Sequence, residues 1–134
     1  FEIPGKPMGK QRPRMTRSGH TYTPKETVSY ENLVKACYPG GRFPDDSQLY
    51  VSITAWYEIP KSVSKKRFKS MVNLDEKPTK APDCDNVAKA VCDALNGIAY
   101  RDDAMVVSLT VKKYYGTEPR VQVLIFNEEG WDNE

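Results

Sequence analysis

Residues 82–103 read PDCDNVAKAVCDALNGIAYRDD, and they combine an amphipathic helix pattern with a cluster of acidic side chains. At about 100° per residue, Asp85, Lys89 and Asp93 fall on one narrow stripe of a helix. Small and apolar side chains occupy the other face. The pattern predicts a helix over residues 84–95 whose apolar face packs against a sheet and whose charged stripe meets solvent.

Segments on both sides of this helix predict strands and two more helices. Residues 49–57 alternate apolar and polar side chains, the period of a β-strand. Residues 106–113 and 120–126 predict two further strands, joined as an antiparallel hairpin. One additional helix is expected to be capped by Thr23 and another by Ser62. This order predicts an α+β fold in which a mixed or antiparallel sheet packs with helices.

Length and composition indicate a single domain. The 134 residues are 39% hydrophobic and 28% charged, which is ordinary for a globular protein and excludes extensive disorder. No apolar run approaches the length of about 20 residues that a membrane span needs. We therefore expect one domain over residues 1–134, with an acidic, disordered tail from about residue 128.

Cysteine and histidine are too few for several kinds of site. The three cysteines have no C-x-x-C spacing and His20 is the only histidine, which excludes a zinc finger and a disulfide framework. We expect Cys84 and Cys92 to be small core residues, with free thiols in a reducing cytoplasm. Catalytic chemistry must then come from carboxylates, lysines and arginines.

Charge is distributed in blocks, although the formal net charge is only +2. Residues 1–35 and 61–80 are rich in cations, and the segment 81–103 between the second block and the last strands is acidic. This layout suits a phosphate polymer held by cations with a metal at the cleavage point, although a solvated surface is an alternative. The candidate DNA-binding residues are Lys10, Arg12, Arg14, Arg17, Lys61, Lys65, Lys66, Arg67, Lys69 and Lys80.

Each acidic residue has a simple structural explanation when it is taken alone. Asp83 and Asp85 suit the start of a helix, Asp85 and Lys89 suit an ordinary ion pair, and Asp102-Asp103 suits a turn. Together, however, such acids would repel one another unless a cation intervened. Oxygen ligands without histidine or cysteine favour Mg²⁺ or Mn²⁺.

The same segment contains a longer motif, Asp83-x-Asp85-Asn86-x-x-Lys89-x-x-x-Asp93-Ala94-Leu95-Asn96-Gly97, followed by Tyr100-x-Asp102-Asp103. This motif resembles the RusA family of Holliday junction resolvases, which phages and prophages of bacteria often encode. The N-terminal Lys10-x-Arg12-Pro13-Arg14 is also similar to the family, and the resemblance extends over roughly residues 3–126. One departure is Met105, where the family commonly has glutamine.

The resemblance implies the site and its cofactor. Asp83, Asp85 and Asp103 match the metal-binding catalytic aspartates, and Lys89 matches the essential lysine. For Asp102, the resemblance implies contact with a metal-binding aspartate and not with the metal itself. Mg²⁺ is the implied cofactor, with Mn²⁺ able to substitute, and no organic cofactor is expected.

The resemblance also implies the fold, the partners and the activity. The fold would be the small RusA fold, and the protein would act as a homodimer. It would resolve four-way (Holliday) DNA junctions by paired symmetric nicks, in DNA recombination and repair. We expect a bacterial or phage-encoded protein in the cytoplasm, associated with the nucleoid and not with a membrane.

The residues leave other functions open. A nuclease of broader range, acting on flaps or other branched DNA, would need the same carboxylates. A non-catalytic DNA-binding module could use the acids structurally. A protein-interaction domain without nucleic acid would leave the two basic blocks unexplained.

Overall fold

The computed structural model describes residues 1–127, and the predicted acidic tail lies outside this range. The described part contains a four-stranded sheet, a separate two-stranded hairpin and three α-helices. In chain order the elements are strands β1 (Glu2–Pro4), β2 (Arg14–Met15) and β3 (Thr21–Tyr22), helix α1 (Lys25–Cys37), strand β4 (Leu49–Glu58), helices α2 (Lys65–Val72) and α3 (Cys84–Ala94), and strands β5 (Val106–Gly116) and β6 (Arg120–Asn127).

Strand β4 is the centre of the main sheet, whose order is β1-β6-β4-β5. It pairs in parallel with β5 and antiparallel with β6. Its alternate side chains from Leu49 to Tyr57 are buried, and those between them are half-buried. One face of the sheet therefore forms the core with the helices. The prediction of an α+β fold with a mixed sheet is confirmed.

The predicted hairpin between the last two strands is wrong, because β4 lies between β5 and β6. The two strands are joined only by residues 117–119, so this short connection crosses the end of β4. Gly116 permits the crossing, since a Cβ atom there would lie 3.1 Å from the Trp56 ring. The Arg120 guanidinium then lies 4.7 Å from the centre of that ring.

The starts of the first two helices differ from prediction. Pro24 takes the cap position of α1 in an extended conformation, and no side chain caps that helix. Thr23, the predicted cap, is one residue too early. Helix α2 is capped by Ser64 and not by Ser62, because the hydroxyl of Ser64 accepts a backbone N–H bond of the first turn.

Helix α3 ends within one residue of its predicted boundary and buries the predicted apolar face. Val87 and Val91 are fully buried in the core, and Cys92 is buried as expected. Cys84 is exposed, so its prediction as a core residue is wrong. It lies in the first turn of α3, and the buried residues of this helix begin only at Val87. Within residues 1–127, no helix is both long enough and apolar enough to cross a membrane.

The end of α3 is held by a tyrosine from the following segment. Tyr100 is fully buried, and its hydroxyl donates a hydrogen bond of 2.7 Å to the backbone carbonyl of Cys92. Carbonyls in the last turn of a helix lack a helical partner, so this hydroxyl satisfies one of them. The bond also fixes the chain that leads from α3 to Asp102 and Asp103.

Tyr100→Phe is expected to destabilise the protein by about 1–3 kcal/mol, because the Cys92 carbonyl would remain buried without its partner. Urea unfolding of the variant and of the unsubstituted protein measures the difference. Tyr22→Phe is the matched control, since Tyr22 is 48% exposed and should not change the free energy of unfolding. Equal stability of all three proteins would show that the bond contributes nothing.

Candidate active site

A shallow pocket between α3 and the start of β5 brings together three of the predicted catalytic residues. Asp85 and Lys89 line it from the exposed stripe of α3, and Asp103 lines it from the segment before β5. The pocket has a volume of about 340 Å³, and apolar side chains such as Leu109 complete its wall. Asp85 and Asp103 are 18 positions apart in the chain, yet they line the same cavity, which is what a common catalytic site requires.

Asp103 is fixed by a helix-like turn that precedes β5. Residues Asp103–Met105 form a single 3₁₀ turn, and the backbone N–H of Asp103 donates to the Asn96 side-chain oxygen at 2.8 Å. Asn96 lies just beyond the end of α3, so this bond ties the acid directly to the helix. Met105, the departure from the family pattern, is buried in the core and does not line the pocket.

The carboxyl of Asp103 lies among other acids. Partial burial raises its pKa above the usual value for aspartate, and the nearby carboxylates of Asp102 and Asp93 raise it further. A raised pKa means that the folded protein disfavours the charged form of this group. The pocket edge is therefore a point of concentrated negative charge, which a cation would neutralise.

Asp93 belongs to this acidic cluster, although it was not among the site residues predicted from the sequence. The signal was present, because Asp93 falls on the same helical stripe as Asp85 and Lys89. Asp93 also lies 3.4 Å from the ammonium group of Lys10, which contacts Glu31 at 3.2 Å as well. Lys10 thus links the N-terminal segment and α1 to the acidic side of α3.

Lys89 is exposed, and within residues 1–127 it forms no ion pair. The structure therefore does not contain the Asp85–Lys89 ion pair that the spacing of four residues suggested. An ammonium group that no described carboxylate neutralises, at the edge of a pocket that holds two carboxylates, can contact an anionic substrate.

Asp83 lies at the N-terminal end of α3 and does not line the pocket. It occupies the cap position, yet its side chain makes no capping hydrogen bond. Pro82, the residue before Asp83, accepts a hydrogen bond of 2.6 Å at its carbonyl from the Tyr57 hydroxyl. Burial raises the pKa of Tyr57 to about 12, with smaller contributions from Cys84 and Asp83.

Two of the three predicted metal ligands, Asp85 and Asp103, line the same pocket, and Asp83 does not. In the part of the chain that the structure describes, no three acidic, histidine or cysteine side chains are arranged to hold a metal ion together. Mg²⁺, however, is usually bound by one or two carboxylates, with substrate phosphates and water completing its six ligands. Asp85 and Asp103 on one pocket meet that smaller requirement, and their oxygen donors suit a hard cation.

The predicted DNA-binding cations fall into two groups. Lys10 is engaged with Glu31 and Asp93, and Arg67 forms two hydrogen bonds with Glu76, the shorter of 2.7 Å. These two are already neutralised by protein carboxylates. The remaining predicted cations are exposed and form no ion pair within residues 1–127: Arg12, Arg14, Arg17, Lys61, Lys65, Lys66, Lys69 and Lys80.

A small α+β domain that presents two carboxylates and a lysine in one pocket, with further exposed cations on its surface, has the groups that a nuclease acting on a phosphate backbone uses. The family model of endodeoxyribonuclease RusA matches residues 4–126. The chain therefore belongs to the RusA endodeoxyribonuclease family, a family of nucleases that bind and cut Holliday junctions. The resemblance predicted from the sequence motif is confirmed.

A relative from Bacillus subtilis (strain 168) is similar along almost the whole chain. It is described as the uncharacterized protein YqaN, and it is 37% identical over 134 residues. The alignment covers 93% of each chain. The two proteins are therefore similar over most of their length and not only in the acidic motif.

Proposed function

We propose that this protein is a Mg²⁺-dependent endonuclease that resolves four-way DNA junctions by paired symmetric nicks. The observation that carries the proposal is the single pocket lined by Asp85, Lys89 and Asp103 in a chain of the RusA family. Asp83 is the fourth proposed catalytic residue, at the end of the same helix.

The carboxylates have the role of holding a divalent cation between the protein and the scissile phosphate. Asp85 and Asp103 would bind it from the two sides of the pocket, and Asp83 would approach from the start of α3 when DNA is bound. Asp102, which faces Asp103, would orient that carboxylate. When bound, Mg²⁺ polarises the scissile phosphate and favours ionisation of the attacking water, and Mn²⁺ would substitute for it.

Lys89 has a separate role, which is to stabilise negative charge on the phosphate. Its position one helical turn after Asp85 lets its ammonium group reach an anion held at the same pocket. A fixed positive charge aimed at the group where negative charge develops lowers the barrier without any rearrangement during the reaction.

Two cuts in one junction call for two such pockets. The two strands that are cut in a four-way junction are related by a twofold axis. A homodimer with isologous contacts supplies two sites with the same symmetry. Each protomer would then nick one strand. The homodimer is therefore part of this proposal.

The proposal is tested by incubating the protein with labelled DNA substrates in Mg²⁺, in Mn²⁺ and in EDTA. The substrates are a four-way junction, a flap, a linear duplex and a single strand. We expect symmetric nicks in the junction with either cation and none with EDTA. The nicks should carry a 5′-phosphate and a 3′-hydroxyl, so DNA ligase should reseal them.

Each rival function predicts a different result. Equal cutting of flaps and junctions would assign a broader branched-DNA nuclease. Binding of the junction without cutting in either cation would assign a DNA-binding module. Cutting of linear duplex as fast as the junction would reject junction resolution.

Tyr57→Phe is expected to lower the cleavage rate constant by roughly ten-fold while junction affinity stays unchanged, because the hydroxyl fixes Pro82 next to Asp83. Single-turnover cleavage gives the rate constant, and binding in EDTA gives the affinity. The matched control is Tyr114→Phe, whose ring packs on Trp56 on the other face of the sheet. An unchanged rate constant for the Tyr57 variant would remove Tyr57 from the positioning of Asp83.

A further inference from the structure

A second, larger cavity lies beside the N-terminal end of α3. It is a groove of about 500 Å³, which we call the lysine groove, and its floor includes the buried Tyr57. Three lysines from separate segments line it: Lys6 after β1, Lys61 after β4, and Lys80 in the loop that leads to α3. Residues far apart in the sequence thus place three ammonium groups around one cavity.

The lysine groove is positively charged. Glu58 is the one acidic residue among those that line it. Within residues 1–127, none of the three lysines forms an ion pair, although Lys80 lies 5.7 Å from the centre of the Tyr115 ring. Cations concentrated in a cleft attract phosphate groups more strongly than cations scattered over a flat surface.

The groove is joined rigidly to the candidate active site. Its wall ends at Pro82, the residue before Asp83, and the Tyr57 hydroxyl holds the Pro82 carbonyl at 2.6 Å. The Lys113 ammonium group donates to the Lys80 carbonyl at 2.6 Å and lies over the Tyr57 ring. Both ends of the loop from residue 80 to 82 are therefore tied to the sheet.

We propose that the lysine groove binds the phosphate backbone of the DNA strand that is being cut, at the phosphates next to the scissile one. Lys6 is a contact that the sequence prediction did not include, and it acts with Lys61 and Lys80. The inference rests on the proposed function, because it takes DNA as the substrate and the α3 pocket as the place of cleavage. The groove has few groups suited to reading bases, so it contributes affinity and register without sequence preference.

The first test measures the salt dependence of junction binding in EDTA, so that no cleavage is needed. Lys6→Gln/Lys61→Gln is expected to reduce the slope of log affinity against log salt by about 2, one for each lost phosphate contact. The control is Lys35→Gln/Lys112→Gln, two exposed lysines outside the groove, which lowers net charge equally. Equal changes in both variants, or none in either, would overturn the proposal.

The second test locates the contacts on the DNA. Junctions that carry one neutral methylphosphonate at successive positions around the cut are bound to each protein. The unsubstituted protein should lose affinity when a phosphate next to the scissile one is neutralised. The Lys6→Gln/Lys61→Gln variant should lose no further affinity when the same phosphate is neutralised. The proposal would be overturned if the unsubstituted protein lost affinity only when distant phosphates were neutralised.

The outcomes separate this inference from the proposed function. Junction cleavage with an unchanged salt slope in the groove variant would leave the function standing and reject the groove. A reduced slope in a protein that cuts no DNA would support the groove as a DNA contact and reject the nuclease function. Binding of an acidic peptide but not of DNA would reject both.

Discussion

Asp103→Asn is expected to reduce junction cleavage by about 10³-fold or more while leaving junction binding in EDTA unchanged. The change keeps the shape of the side chain and its backbone bond to Asn96, but it removes the negative charge proposed to hold the cation. Metal ions in such sites supply several kcal/mol of stabilisation to the transition state, and each 1.36 kcal/mol is about a ten-fold change in rate.

The same substitution should not weaken the fold. Partial burial, and after it the neighbouring carboxylates of Asp102 and Asp93, raise the pKa of Asp103, so the charged form of this group opposes folding near neutral pH. The neutral variant should therefore melt at the same temperature or slightly above it, when both proteins are heated in EDTA. Loss of activity with retained melting temperature would exclude unfolding as its cause.

The control for Asp103 is Asp46→Asn, a change of an exposed acid in the loop before β4. This variant should cut junctions at the rate of the unsubstituted protein. Cleavage by Asp103→Asn within ten-fold of that rate would contradict the assignment of the pocket as the active site.

Lys89→Met is expected to have the second-largest effect, a reduction of about 10²–10³-fold in the single-turnover cleavage rate. Methionine fills nearly the same space without the positive charge, and removal of one group that stabilises developing charge typically costs this much. Lys89→Arg keeps the charge in a different shape, so partial recovery of the rate is expected. Lys35→Gln controls for the change in net charge.

A double variant tests whether the two residues act in one step. Groups that work as a unit give strongly non-additive losses. Asp103→Asn combined with Lys89→Met should therefore be little slower than Asp103→Asn alone. Multiplication of the two losses would indicate that Lys89 acts at a different stage, such as DNA binding.

Local patterns predicted much of the fold. The alternation in β4 and the apolar face of α3 were visible because each depends on neighbours within a few residues. The pairing of β5 and β6 was not predictable in the same way. Two antiparallel strands joined by a short connection normally form a hairpin, and only the packing of Gly116 against Trp56 shows how the chain crosses β4 instead.

The candidate site was predicted in part for the same reason. The spacing of Asp85 and Lys89 on one helical stripe is local, so the sequence revealed it. The approach of Asp103 to Asp93 depends on Asn96 and on the buried Tyr100, which no periodicity encodes. The ion pairs of Lys10 likewise join residues far apart, and a count of cations cannot separate such a lysine from one that is free.

The central position of β4 has a consequence for how the protein is made. Both neighbours of β4 follow it by about 50 residues or more, and β1 can pair only after β6, a much later strand, has been made. Such non-local pairings slow folding because the intervening loops must close first. During translation, the middle strand would therefore emerge from the ribosome with both hydrogen-bonding edges open, and the nascent chain would gain its native sheet only after β6 has been synthesised.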